Sequence, residues 1–252
     1  MSIDKQTCFQ FSVGQFAAMA RRRPEPGGSL GGSEAPQRVV RPRRYDGDDN
    51  RRAILDAAIE IFGLYGYEGA STRKIAAAAG IEQGHLIYYY KTKELLWRDV
   101  VITFASGTEA RLAEALERSN GLSAADTAWA VLPEFLEFCA DNPHLVRLML
   151  QEFSINSPRH DWLVDTFGKP IWLLLKPVFD RLHVEGLLFG AAPEVAYFTF
   201  VGAALVTFGN LGVTRRIAGI EMTNHPARDQ HINYIMKPIV HRVERETGRS
   251  SK

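Results

Sequence analysis

Residues 71–80 read Ser-Thr-Arg-Lys-Ile-Ala-Ala-Ala-Ala-Gly, a stretch that admits one local structure. Ser71 and Thr72 offer hydroxyls that cap a helix N-terminus, alanine has the highest helix propensity, and Gly80 supplies the left-handed residue that closes a C-terminus. The alanines add no bulk, so a second helix can cross closely. Upstream, Ile54, Leu55, Ala58, Ile59 and Phe62 recur at the spacing of one helical face, and Gly63 and Gly66 are expected to end that helix. Downstream, Ile81 re-enters the core. Residues 82–90 predict a third helix in which Leu86 and Tyr90, four apart, point inward together. Thr92 then caps a fourth helix, with Glu94 suited to its positive first turn. Helices this short and this tightly joined predict a helix-turn-helix, against the other reading of any small helical bundle.

The outward positions separate those two readings. Gln83, His85, Tyr88, Tyr89, Lys91 and Lys93 bring hydrogen-bond donors, amphipathic aromatics and cations where an ordinary solvated face would carry Glu/Lys pairs. Duplex DNA calls for that mixture: cations and hydroxyls take phosphates and fix register, and side chains near the start of a recognition helix reach base edges.

Arg52, Ile54-Leu55, Ala57-Ala58, Phe62, Gly66, Thr72, Ile75-Ala76, Ala79-Gly80-Ile81, Leu86, Tyr88, Tyr90 and Lys93-Glu94-Leu95 together resemble the DNA-binding domain of the TetR family over residues 50–98. The resemblance implies that Thr72 and Arg73 touch phosphate, that Gln83, Gly84 and His85 face the groove, that Tyr88 and Lys93 clamp the backbone, and that Tyr90 is core. Ile87 stands where the family usually has a phosphate-bonding tyrosine, and Tyr89 where a histidine is common. Ile87 donates no hydrogen bond, and an apolar contact to a thymine methyl or a sugar is what it has to offer.

The chain has 252 residues, 30 Lys+Arg against 29 Asp+Glu, and a net charge of +1, so attraction to DNA must come from a local patch. Residues 1–49, rich in Pro and Gly, read as a disordered basic arm; from 21 to 44, seven arginines face two glutamates, a local charge of +5. It is either a DNA-seeking arm or an unselected start, with Met19 as another initiator. No apolar run approaches the ~20 residues of a membrane span. Cys8 and Cys139 form no metal-ligand or disulfide pattern, and a reducing cytoplasm is the expected setting.

The remainder, 99–252, predicts helices almost throughout, so the fold class is all-α: a helix-turn-helix domain over 50–98 and a larger helical effector-binding and dimerisation domain over 99–252. Expected helices cover 99–119 with a weak point at Gly107, then 124–140, 143–153, 161–188, 193–208 and 227–246. Pro170, Pro177 and Pro238 are expected to kink or split theirs. Residues 193–208 are apolar nearly all round and must be buried on more than one side. By the family resemblance, this helix and 227–246 pair with their twins in a homodimer. Most aromatics will be core; Met149, Phe153, Trp172 and Phe179 are the candidates for an effector pocket that takes an apolar or aromatic small molecule.

Nothing in the sequence calls for a cofactor or a metal. His160 and Asp161 are adjacent and expected to point apart, while Asp180 and His183, three apart, lack a third ligand nearby. GxSxG, HExxH, P-loop and strand-to-helix GxGxxG patterns are absent, so an enzyme is not expected. The reading is a sequence-specific transcriptional regulator, most simply a repressor released from a palindromic operator by a small effector. An activator of the same fold and a purely structural helical protein are the alternatives.

Overall fold

The computed structural model describes residues 47–222 and 224–240, and every regular element among them is helical. All but the last three residues of the expected arm lie outside the described residues, as do 241–246 of the last expected helix. The head consists of α1 (Gly47–Gly69), α2 (Thr72–Ala78) and α3 (Gln83–Tyr89), and α4 (Lys93–Arg118) runs from it into the body. The body adds α5 (Ala124–Asp141), α6 (Pro143–Phe153), α7 (Pro158–Leu163), α8 (Lys169–Val184), α9 (Pro193–Gly209), α10 (Leu211–Ala218) and α11 (His225–Ile239). One apolar core extends from Ile54 and Leu86 in the head through Leu136 in α5 to Met236 in α11. The helix α5 sits centrally, packed on α4, α8, α9 and α11.

Caps fall where hydroxyls predict them. Ser71 accepts from Lys74 N–H, Thr92 from Leu95 N–H and Ser123 from Asp126 N–H, each satisfying an orphan donor of a first turn. Gly80 takes the left-handed conformation at φ +68°.

Several expectations are corrected. Gly63 does not end α1; it lies inside the helix, where a Cβ would sit 2.6 Å from the His144 carbonyl oxygen. The absence of a side chain lets α6 approach the α1 backbone. Gly66 does break the helix, at φ 67°, ψ 175°, before a last turn that reaches Gly69. Gly107 leaves α4 intact and faces the Phe138 ring, to which a Cβ would come within 3.1 Å.

The expected helix 161–188 is divided. A π-helical segment, Val164–Gly168, separates α7 from α8 and places Pro170 in the first turn of α8, where its missing N–H costs nothing. Pro177 does not split α8, because it lies on the exposed side, where water can serve the freed carbonyl. Ile239 closes α11 one residue after Pro238, earlier than expected, with Val240 already extended. The helix α10 was not expected; it closes with Arg215 and Arg216 in its last turn and Gly219 in the left-handed region.

The ionisable pairs read from the sequence also rearrange. His160 Nδ1 lies 3.1 Å from Asp161 Oδ1, so these neighbours do meet, in the opening turn of α7. Asp180 holds Lys176 at 2.6 Å, and His183 Nδ1 lies 2.9 Å from the Ala191 carbonyl oxygen.

Candidate nucleic-acid interface

A recognition surface needs one face of a short helix held rigidly and the other left open. Leu86 of α3 is fully buried, and Ile81 N–H closes the turn before it on the Ala76 carbonyl at 3.0 Å. The C-terminal end is fixed through Tyr90. Its buried ring leaves the hydroxyl free to donate to Asp99 at 2.5 Å, and Arg51 completes the group with Nη2 2.9 Å from the same carboxylate oxygen. Burial and the hydrogen bond to Asp99 raise the Tyr90 hydroxyl well above the ordinary phenol range, so it stays a donor. Sequence reasoning placed Tyr90 in the core and missed Arg51 and Asp99, 48 residues apart, which no local period connects.

The opposite side of α3 is open. Gln83, Gly84, His85, Ile87 and Tyr88 are exposed, Tyr88 to 75%. No atom lies within 4 Å of a Cβ built on Gly84, so a bulky partner can reach the α3 backbone there. Gln83 Nε2 donates to the Thr72 hydroxyl at 3.3 Å, which pins the first residue of α3 against the first residue of α2. Arg73 is exposed beside Thr72. Lys91 is exposed, with its ammonium 5.9 Å from the Tyr88 ring. Eight of the ten residues expected to meet DNA, all but Tyr89 and Lys93, therefore gather around the outer side of α3 and the start of α2, or flank them.

Tyr89 differs in being half-buried and packed on the core, edge-on to Tyr88 at 5.5 Å. Lys93 is also half-buried. Its ammonium donates to the Tyr67 and Ala70 carbonyls at 2.8 and 3.2 Å and lies 4.2 Å from the Tyr67 ring centroid. That cation closes the exposed carbonyls at the end of α1, a role its place next to the Thr92 cap did not disclose.

Of the four effector candidates, Trp172 and Phe179 share a neighbour in Tyr197. Phe153 stacks on Phe167 at 6.5 Å, whereas Trp172 and Phe179 meet Tyr197 at 4.7 and 5.9 Å, and Met149 is fully buried. An open groove of about 570 Å³ between α6 and α10 is lined by none of them.

The fold and this surface define a class: an all-helical protein whose helix-turn-helix shares one apolar core with a larger helical body. Residues 54–100 match the model of the bacterial regulatory proteins of the TetR family. The Bacillus subtilis protein named "Probable HTH-type transcriptional regulator YttP" is 27% identical over 133 residues, 53% of this chain and 62% of its own length. The RutR regulator of Escherichia coli K12 is 38% identical over 47 residues, 19% of this chain and 22% of its own. The chain thus spans less than two thirds of these curated relatives. Among solved structures, the hemolysin II transcriptional regulator HlyIIR superposes with a TM-score of 0.60 at 19% identity, covering 77% of this chain and 99% of that one. The Bacillus subtilis regulator FadR, solved with stearoyl-CoA, superposes with a TM-score of 0.57 at 17% identity, covering 75% and 98%. These likenesses establish the fold.

Proposed function

We propose that the protein is a sequence-specific DNA-binding transcriptional regulator acting as a homodimer, and that it represses until a small apolar or aromatic molecule binds the body. One observation carries the reading: α3 is anchored by Leu86 and Tyr90 while Gln83, Gly84, His85, Ile87 and Tyr88 stand open on its other side. In this reading Gln83 and His85 reach base edges, Ile87 offers apolar contact, and Thr72, Arg73, Tyr88 and Lys91 serve phosphates, while Lys93 holds the end of α1. Tyr89 supports Tyr88 from below.

Dimerisation would use the open side of α9. The buried side (Ala196, Tyr197, Phe200, Ala204, Phe208) packs into the body, while Val195, Phe198 and Val206 stay exposed, Phe198 to 71%, with exposed Tyr234 on α11. A charge on that apolar stripe is incompatible with a packed interface. Phe198→Asp is expected to convert a dimer to a monomer by sedimentation velocity with helix content unchanged; a dimer that persists would place the interface elsewhere.

Two recognition helices related by a two-fold axis require a pseudo-palindromic site with half-sites roughly 34 Å, or a modest extension of that, apart. Selection of bound fragments from the source genome tests this, and a single asymmetric site occupied by a monomer would overturn it. On the selected operator, Gln83→Ala and His85→Ala should each relax preference at particular base positions by about 1–3 kcal/mol. Equal weakening on all sequences would instead make these two residues phosphate contacts.

A further inference from the structure

The local sequence of two helix ends runs against elementary electrostatics. The last turn of α5 carries Glu137 and Asp141 and no basic residue, although a helix C-terminus disfavours negative charge. The opening turn of α11 carries Arg228 and no acidic residue, although a helix N-terminus disfavours positive charge. The tertiary structure brings the two mismatches together. Arg228, 9% exposed, donates from Nη1 to Asp141 Oδ1 at 2.8 Å and from Nη2 to the Glu137 carbonyl at 3.1 Å and to the Glu137 carboxylate. Cancelling a charge against a dipole across 87 residues of chain is a long-range device.

Asp141 has a second oxygen, and α4 uses it. Arg111 Nη1 lies 3.3 Å from Asp141 Oδ2, while Arg111 Nε donates to Glu134 Oε2 at 2.7 Å. Glu134 Oε1 in turn accepts from Arg118 Nη2 at 3.2 Å. Signs alternate along an unbroken path from α11 through α5 to α4. Apolar seams tolerate sliding, whereas directed guanidinium–carboxylate hydrogen bonds fix axial register.

We infer that the Asp141 carboxylate is the junction at which α11 holds α4 in register, which makes Arg228, Asp141 and Arg111 positioning residues for the recognition helix. Displacing α11 takes one oxygen of Asp141 with it, and the other oxygen passes the displacement to Arg111, on the helix that begins at the head. The link to DNA rests on the proposed function, in which α11 lies in the dimer interface; the ionic path itself does not.

Amide exchange of the full chain by mass spectrometry tests the path without DNA. Arg228→Met should accelerate exchange of α4 amides around 111–118 about tenfold or more, although the substitution lies on α11. Adding Arg111→Met should accelerate it little further, and Arg228→Lys should retain most of the protection. Exchange in α4 unchanged within twofold, or full additivity of the two methionine variants, would overturn the path. Should Arg228→Met fail to fold, as judged by near-ultraviolet circular dichroism, Asp141→Asn removes the junction charge at constant volume and is read against the same two outcomes.

On the selected operator, positioning predicts that Arg228→Met lowers affinity for the full site about tenfold and leaves a single half-site unaffected. Equal loss on both would overturn the positioning role with the ionic path intact. Absence of operator binding by the parent chain would overturn the proposed function while the exchange result still judges the path.

Discussion

Arg159→Met is expected to destabilise the protein by about 3 kcal/mol, the lower end of the 3–5 kcal/mol that follows when a buried charge loses its partner. Arg159 in α7 is the pin between body and head. Its Nε lies 3.2 Å from Glu152 Oε2, its Nη2 lies 3.0 Å from Glu68 Oε1, and its guanidinium stacks 3.8 Å from the Tyr67 ring centroid. These contacts are unequal. Glu68 is exposed, so its pair contributes about 0–1 kcal/mol, and the ring contact adds about 0.5–2 kcal/mol. Glu152, by contrast, is 3% exposed, and without Arg159 its carboxylate stays desolvated. The fall in melting temperature should be about 6–12 °C, measured by circular dichroism. Arg159→Met with Glu152→Leu should recover most of the loss, because it removes the stranded charge. A loss under about 1 kcal/mol in the single variant would show that Glu152 finds water and that the pair carries little stability.

Gly63→Val is expected to cost about 3 kcal/mol or more, at or beyond the top of the usual overpacking range. Helix propensity gives the opposite sign, since replacing a mid-helix glycine removes a penalty of about 0.8–1.0 kcal/mol. The neighbour decides. A Cβ at Gly63 would stand 2.6 Å from the His144 carbonyl oxygen, 2.8 Å from its Cβ and 2.9 Å from its Cα. These belong to the α6 backbone or its first side-chain atom and cannot swing aside, so α1 and α6 must part. Urea unfolding measures the cost, and faster amide exchange at the start of α6 locates it. Gly84→Ala is the control, since it meets open space in a helix and should gain up to ~1 kcal/mol. A Gly63 variant that behaves like Gly84→Ala would show that the seam yields freely.

Gly63, Gly66 and Gly107 show where sequence reasoning stops. A glycine that breaks a helix and one that admits a neighbour look alike in the chain. Gly66 does the first, while Gly63 and Gly107 do the second, towards His144 and Phe138. The signal in both cases is a missing side chain, and only the position of the other helix assigns its meaning. The helix α10 escaped for a related reason. It buries none of its side chains, so the apolar spacing that identifies a packed helix is not required of it.

The sequence by itself determined α2, α3, their turn and the outward set on α3 apart from Tyr89, because every partner needed lies within a few residues. The Ser71 cap reaches Lys74, Ile81 returns to Ala76, and Leu86 and Tyr90 share a face by helical geometry alone. The tertiary structure decided how the head is held and how the body is tied together. Lys93 caps α1 across 23 and 26 residues, Arg159 joins Glu68 across 91, and Arg228 reaches Glu137 across 91. Such pairs leave no period in the chain, because a charge is indifferent to sequence separation and answers only to what the packed apolar core brings within about 3 Å of it.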